Sequence, residues 1–399
     1  MLDAYIYAGL RTPFGRHGGA LAGVRPDDLA AAVIRELVSR SGFDAGQVED
    51  VILGCASQSG EDSRNVGRHA ALLAGLPPTV PGQTVNRLCG SGLAAVLDSA
   101  RAISAGEGEL YVAGGVESMT RAPFVVGKSD AAWGRDFKAF DATIGVRFPN
   151  PRLIERYGND SMPETADNVA AELGISREEA DRYAAASQAR YAAARATASF
   201  EGEILPIEVS SGRKAPPRLI SEDEHPRPET TYESLAALKP LFGGVVTAGN
   251  ASGINDGAAA VIVGSAAAGR RAGAEPLVRI LAGAVSGVEP RIMGIGPARA
   301  IPKALERAGL TLAQMDVVEI NEAFASQVLG CLKLLELDAR DERVNPNGGA
   351  IALGHPLGAS GARLALSATR ELQRRNGRYA VVSLCVGVGQ GIALVIERC

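Results

Sequence analysis

The chain has 399 residues, 46% of them hydrophobic, enough to bury a large core spread over roughly two to three domain-sized units. Its 41 basic and 45 acidic residues leave a formal charge of −4, which supplies no overall basic field and argues against nucleic acid as a partner. No run of about 18 apolar residues occurs, which argues against a membrane partner, and MLDAYIYAGLRTPFGRHGG lacks the basic start and apolar core of a signal peptide, so a cytoplasmic protein is expected.

In chain order, PDDLAAAVIRELVSRS (26–41) carries helical periodicity, with Pro26 just inside its start. EDVILGCAS (49–57) is a short apolar run, 91–105 is helical again, and GELYVAGGVESM (108–119) is a second apolar run. A helix at 176–199 precedes GAAAVIVGS (257–265) and MDVVEINEAFA (315–325); a helix at 358–375 then leads into RYAVVSLCVGVGQGIALVIE (378–397). Short runs rich in Val and Ile, bounded by glycine or charge, read as buried strands, and their alternation with helices predicts a layered α/β core.

AGQVEDVILGCAS (45–57) and LAQMDVVEINEAF (312–324) share a helix end, an acidic turn and a strand. In each half a glycine-rich segment opens a helix, RLCGSGLAAV in the first and LGHPLGASGARLAL in the second, so two similar halves are expected. Residues 121–245 break the pattern, with IGVRFPNPRL (144–153) and the Pro- and charge-rich RKAPPRLISEDEHPRPETT (213–231). This segment reads as an inserted, loop-rich domain.

Five cysteines, at 55, 89, 331, 385 and 399, have no C-x-x-C spacing. They support neither a disulfide framework nor a cysteine-rich zinc site, so no metal is expected. Cys55, Cys331 and Cys399 read as small apolar fillers. Cys89, in VNRLCGSGLAAV, sits where a helix begins; there the unpaired N–H groups and the helix dipole favour the thiolate. It is the candidate nucleophile.

Among four histidines, His355 lies in NPNGGAIALGHPLGASGARL, where glycines permit close backbone approach, and is the candidate base. Cys385, in SLCVGVGQG, ends a strand and enters a glycine-rich turn that can present N–H groups to an oxyanion. Asn321, in INEAFA, can hold a water or orient His355. Two thiols and an imidazole at strand ends suggest acyl transfer through a thioester. APFVVGKS (122–129) lacks the first glycine of a phosphate loop, and GVGQGI (387–392) has isoleucine where a dinucleotide fingerprint needs glycine.

NRLCGSG, GGVESMTRAPF, SMPETADNVA, TAGNASGINDGAAA, NEAFA, NPNGGAIALGHPLGASGAR and CVGVGQG, in this order over essentially the whole chain, resemble the thiolase family. DEHPRPETT and RIMGIGP are most similar to its degradative branch, which includes the β-ketoadipyl-CoA thiolases. The resemblance implies a duplicated α/β fold, two five-stranded mixed sheets in a layered α-β-α-β-α arrangement with an inserted loop domain. The halves would be 1–120 with 246–270 and 271–399, and 121–245 would bind coenzyme A. A homodimer or homotetramer is implied.

The same resemblance implies that Cys89 is acylated, His355 takes its proton and Cys385 moves the proton at the carbanionic carbon. One oxyanion site would be His355 with a water on Asn321, the other the N–H groups of Cys89 and Gly387. Arg227, Ser234, Ala248 and Ser252 would meet coenzyme A, with Met162, Met293, Ala323 and Phe324 lining the pantetheine and acyl passage. Ser161 departs from the histidine that some biosynthetic members carry before the methionine, which puts their short-acyl preference in doubt.

The implied partners are acyl-CoA and CoA, the latter a cosubstrate with no permanently bound cofactor. The implied reaction is thiolysis of a 3-ketoacyl-CoA, 3-oxoadipyl-CoA to succinyl-CoA and acetyl-CoA, and the reverse Claisen condensation. A terminal carboxylate would need a cation, for which Arg147 or Arg152 is a candidate. The alternatives are an acetoacetyl-CoA or broad 3-ketoacyl-CoA thiolase, a decarboxylating ketoacyl synthase, and a non-catalytic acyl-CoA or lipid-binding protein; retention of Cys89, Asn321, His355 and Cys385 counts against the last.

Overall fold

The computed structural model describes residues 2–212 and 216–399; residues 213–215, at the start of the Pro- and charge-rich stretch, lie outside the described residues. Nine strands form the main path of a ten-stranded central sheet: β1 Ala4–Arg11, β2 Asp50–Gly54, β3 Gly82–Val85, β4 Leu110–Ser118, β5 Asn255–Gly264, β6 Val278–Gly287, β7 Val317–Ile320, β8 Tyr379–Val386 and β9 Gln390–Arg398; the tenth, Gly15–Arg16, pairs off it with β5. Their order is β7-β8-β9-β6-β1-β5-β4-β2-β3.

The duplication is written in this order. In the first half β2 pairs in parallel with β3 and β4, β4 antiparallel with β5, and β5 antiparallel with β1. In the second half β7 pairs in parallel with β8, β8 antiparallel with β9, and β9 antiparallel with β6. The counterpart of β3 is reduced to one parallel bridge between Val318 and Val344. The first half therefore has five strands and the second four plus that bridge. Three antiparallel pairs, Ala4 with Ile280, Tyr5 with Arg279 and Ile6 with Val278, join the halves into one continuous sheet.

Side chains of period two divide each strand between two cores. On β5, Val261 and Val263 face a core shared with β8 residues Ala380, Val382 and Leu384, while Ala258, Ala260 and Ile262 face another. The shared core surrounds helices α2 Ser91–Ala105 and α7 Leu357–Arg375, through Leu93, Leu97, Leu364 and Leu372. Helix α1 Pro26–Ser41 covers the outer face of the first half, and α5 Gly296–Ala308 with α6 Ala325–Leu334 covers that of the second. Helix, sheet, central helices, sheet and helix give five layers.

Residues 121–245 hold the helix expected at 176–199, as α4 Arg177–Ala196, and further helices besides: α3 Met162–Leu173, Pro151–Tyr157 and Tyr232–Ala236. Two short ribbons pair Phe124–Val126 with Ala139–Asp141 and Ile207–Val209 with Arg218–Ile220. The fully buried Arg11 of β1 binds Glu203 and Asp223 of this segment, each at 2.6 Å. Paired on both sides, its charge is compensated within the interior. Among the described residues no helix is long and apolar enough to cross a membrane.

Candidate active site

After β3 the chain turns sharply through Asn86–Gly90 before α2 begins. Leu88 has φ +46°, a left-handed conformation that strains a branched side chain by about 1–3 kcal/mol. Local bonds hold it there: Leu88 N–H donates to Asn86 Oδ1 at 2.9 Å, Arg87 N–H to Ser91 Oγ at 2.9 Å, and Ser91 Oγ to the Leu88 carbonyl at 2.6 Å. The turn leaves Cys89 half-buried at the foot of α2.

The helix start, expected to favour the thiolate of Cys89, does not prevail there. Burial pushes its thiol up to about 11, although the N–H groups of Gly387 and of Cys89 itself pull the other way. Loss of hydration outweighs two partial positive charges, so the sulfur is protonated at neutral pH and needs a base.

His355 follows Gly354, whose φ of +103° suits glycine. Its N–H donates to Asn255 Oδ1 at 2.9 Å. Its Nδ1 lies 2.6 Å from Ser360 Oγ, and that hydroxyl gives its single proton to the Pro356 carbonyl at 2.8 Å. Nδ1 must then be the donor, which leaves Nε2 unprotonated and its lone pair an acceptor. Burial and the nearby Arg363 charge lower His355 to about 3, so the imidazole is neutral at neutral pH.

Asn321, just beyond β7, is fixed by its N–H to the Ser383 carbonyl at 2.9 Å. Its Nδ2 stands 3.3 Å from His355 Nε2, and its buried Oδ1 has no partner among the described residues. Cys385, near the end of β8, is buried, and loss of hydration raises its thiol, with the Cys89 sulfur close enough to add to the effect. The turn after it holds Gly387, whose N–H reaches the Cys89 sulfur.

Close packing of the central helices brings the two halves of this site together. Gly92 of α2 lies against the Gly358 carbonyl of α7, and a methyl group on Gly358 would collide with the carbonyl oxygens of Gly54 and Val116. Glu117, fully buried on β4, stitches the same region. Its carboxylate accepts from the N–H groups of Ala56 and Ser57, each at 2.9 Å, and of Gly358 at 2.8 Å. Burial raises it to about 7 against these three donors. Cys55 points its sulfur at Glu117 and Asp62, 3.7 and 3.5 Å away, so it is no apolar filler; Cys331 is buried and Cys399 exposed.

The passage residues divide into two groups. Met162, Met293, Ala323, Phe324 and Cys385 share one apolar cluster, and the Ser252 N–H donates to the Ala323 carbonyl at 2.9 Å. Arg227, Ser234 and Ala248 are exposed and outside it. Arg227 is tethered by its N–H to Gln188 Oε1 at 2.9 Å, and Ser234 caps its own short helix with Thr231. Beside Met162 and Val388 a cavity of about 140 Å³ opens, lined also by Val146, Leu153, Tyr157 and Pro290.

Sequence reasoning singled out neither Ser360, Asn255 nor Glu117. The available signal was Glu117, a charged residue inside an otherwise apolar strand.

Residues 4–267 match the family described as Thiolase, N-terminal domain, and residues 274–398 match Thiolase, C-terminal domain. The chain is 58% identical to a beta-ketoadipyl-CoA thiolase of Escherichia coli and 57% identical to one of Acinetobacter baylyi, covering 100% of both chains in each case. It is also similar to the crystal structure of human mitochondrial 3-ketoacyl-CoA thiolase in complex with CoA, with a TM-score of 0.92 and 42% identity, covering 100% of this chain and 98% of that one.

Proposed function

The chain belongs to the thiolase family, and from that premise we propose that this acyltransferase cleaves 3-oxoadipyl-CoA with CoA to succinyl-CoA and acetyl-CoA, and catalyses the reverse Claisen condensation. The observation that carries the substrate assignment is its end-to-end 58% identity to the Escherichia coli beta-ketoadipyl-CoA thiolase.

In this reading His355 Nε2 takes the Cys89 proton and the sulfur attacks the 3-keto carbon. The bond between C2 and C3 breaks, its electron pair leaves on acetyl-CoA, and Cys385 protonates that carbon. CoA then gives its thiol proton to Cys385 and attacks the succinyl thioester; Cys89 departs and recovers its proton from His355. The thioester intermediate splits one difficult step into two easier ones.

The N–H groups of Cys89 and Gly387, both directed at the sulfur, suit an oxyanion formed on the carbon attached there. His355 with a water on the unpartnered Asn321 Oδ1 suits the other oxyanion. Each such donor is worth about 3–4 kcal/mol. CoA acts as cosubstrate; Met162, Met293, Ala323 and Phe324 face its pantetheine and acyl chain, and Arg227, Ser234, Ala248 and Ser252 its remainder. The matching division is 1–120 with 246–270, the CoA-binding insertion 121–245, and 271–399.

A dimer or tetramer accounts for the exposed apolar side chains of Phe124, Val126, Trp133 and Phe137, which are costly in water. A cytoplasmic location suits five free thiols. The test is CoA-dependent cleavage of 3-oxoadipyl-CoA beside acetoacetyl-CoA and a long-chain 3-ketoacyl-CoA, with Cys89→Ala as control. Preference for the dicarboxylate, abolished in the control, is expected; equal or better cleavage of the others would keep the thiolase and discard the substrate.

A further inference from the structure

We propose that Arg147 and Ser57 form a subsite for the distal carboxylate of a linear, ω-carboxylated acyl chain. The proposal rests on the 3-oxoadipyl-CoA reading and names the residues that would read its charge.

Four cations lie along the segments around the cavity beside Met162; Arg156 is exposed and stands over the Tyr157 ring, 5.2 Å from its centroid, and the surroundings of the other three separate them. Arg291 is already engaged twice with Asp160, at 2.6 and 3.3 Å, and Glu164 and Glu289 lie within reach of its charge. A further carboxylate there would meet net negative charge. Arg152 is exposed at the start of helix Pro151–Tyr157, where water competes for it.

Arg147 differs from both. Its Nη2 donates to the Ala142 carbonyl at 2.6 Å and its Nη1 to the Ser57 carbonyl at 3.5 Å, while its buried Nε has no partner. Among the described residues it enters no ion pair. Asp141 feels its charge, but that exposed carboxylate accepts from Thr143 N–H at 2.9 Å instead. Ser57 is 8% exposed, and its Oγ is likewise buried without a partner. A half-buried guanidinium held only by carbonyl oxygens, beside an unused hydroxyl, favours an anion.

The position fits the chemistry. Ser57 follows Ala56, whose carbonyl accepts from Asn86 Nδ2 of the Cys89 turn at 3.2 Å. On the other side Val146, adjacent to Arg147, lines the cavity with Met162 and Val388. The pair thus lies between the nucleophile's turn and the space open to an acyl chain. A chain ending in a methyl group leaves both polar groups unmet; one ending in a carboxylate satisfies them.

The experiment compares 3-oxoadipyl-CoA with 3-oxohexanoyl-CoA, which has the same length and a methyl terminus, in wild type, Arg147→Met and Arg147→Lys. In Arg147→Met, kcat/KM for the dicarboxylate is expected to fall by about 100-fold, with 3-oxohexanoyl-CoA within about twofold and Arg147→Lys intermediate. Equal losses on both substrates would make Arg147 merely structural and overturn the proposal. An unchanged preference in Arg147→Met would overturn the subsite and leave the substrate reading standing. A wild type that does not prefer the dicarboxylate would remove the substrate reading, and the subsite with it.

Discussion

Replacing Ser360 with alanine removes the hydroxyl that fixes the His355 tautomer and little else. The Pro356 carbonyl, which accepts from that hydroxyl, keeps the backbone N–H groups of Ala359 and Ser360, at 3.1 and 3.0 Å. The His355 Nδ1 proton, by contrast, loses its acceptor at 2.6 Å inside the protein. Leaving a buried donor unpaired costs about 1–3 kcal/mol. The imidazole avoids that cost by moving its proton to Nε2, which Asn321 accepts once its amide turns to present the unpartnered Oδ1 in place of Nδ2, and in that form it has no lone pair for the Cys89 proton. Restoring the productive tautomer therefore costs about 1–3 kcal/mol, and kcat for thiolysis falls by about 5- to 150-fold. The assay is steady-state cleavage of acetoacetyl-CoA followed by loss of its enolate absorbance, with KM changed less than kcat. A kcat within twofold of wild type, in a protein that melts normally, would refute the tautomer argument.

Other consequences follow from the same geometry. Burial holds the Cys89 thiol at about 11, so its alkylation by iodoacetamide in the free protein keeps accelerating above pH 9; a plateau below pH 9 would contradict this. Because His355 is lowered from 6.5 to about 3, its neutral form contributes stability above pH 6.5 that is lost as pH falls toward 3. The stability gap between wild type and His355→Asn should narrow by up to about 3 kcal/mol from pH 7 to pH 4 in urea titrations, and a constant gap would refute the assignment. In Gly358→Ala the added methyl meets two backbone carbonyls that cannot rotate away. A loss at or beyond the upper end of about 1–3 kcal/mol is expected, read as a lower melting temperature with activity lost; an unchanged melting temperature would exclude the close approach.

The elements legible in the sequence were those with strong, one-sided signals. Helices at 26–41 and 91–105 coincide with α1 and α2 because small apolar residues repeat with helical period and a glycine follows each, in left-handed conformation, at Gly42 and Gly106. Strands buried on both faces, such as β5 and β8, were readable as continuous apolar runs. β3 is four residues, GQTV, at the sheet edge and only partly buried, and β6 mixes alanine and glycine into VRILAGAVSG, so neither carried a pattern. Within 121–245 the helix at 176–199 is legible and coincides with α4, whereas the short helices Pro151–Tyr157 and Tyr232–Ala236 are obscured by the proline and charge around them.

Cys89, His355, Asn321 and Cys385 were recognisable because reactive residue types stood among glycines in ordered motifs. Two of their supports are not, because they act across the fold: Asn255 on His355 over 100 residues and Glu117 on Gly358 over 241; the third, Ser360, lies five residues from His355 but carries no signal that distinguishes it from other small residues of the helix. The charge state of Cys89 does not follow from the local sequence, which shows the helix start but not the burial that opposes it.

The central claim is an acyl group passing through Cys89. Incubating the protein with 3-oxoadipyl-CoA in the absence of CoA, quenching in acid and mapping peptides by mass spectrometry tests it directly. The account predicts a succinyl thioester on the peptide carrying Cys89, discharged as succinyl-CoA when CoA is added and absent from Cys89→Ala. No adduct, or one carried by Cys385 and retained in Cys89→Ala, would contradict it.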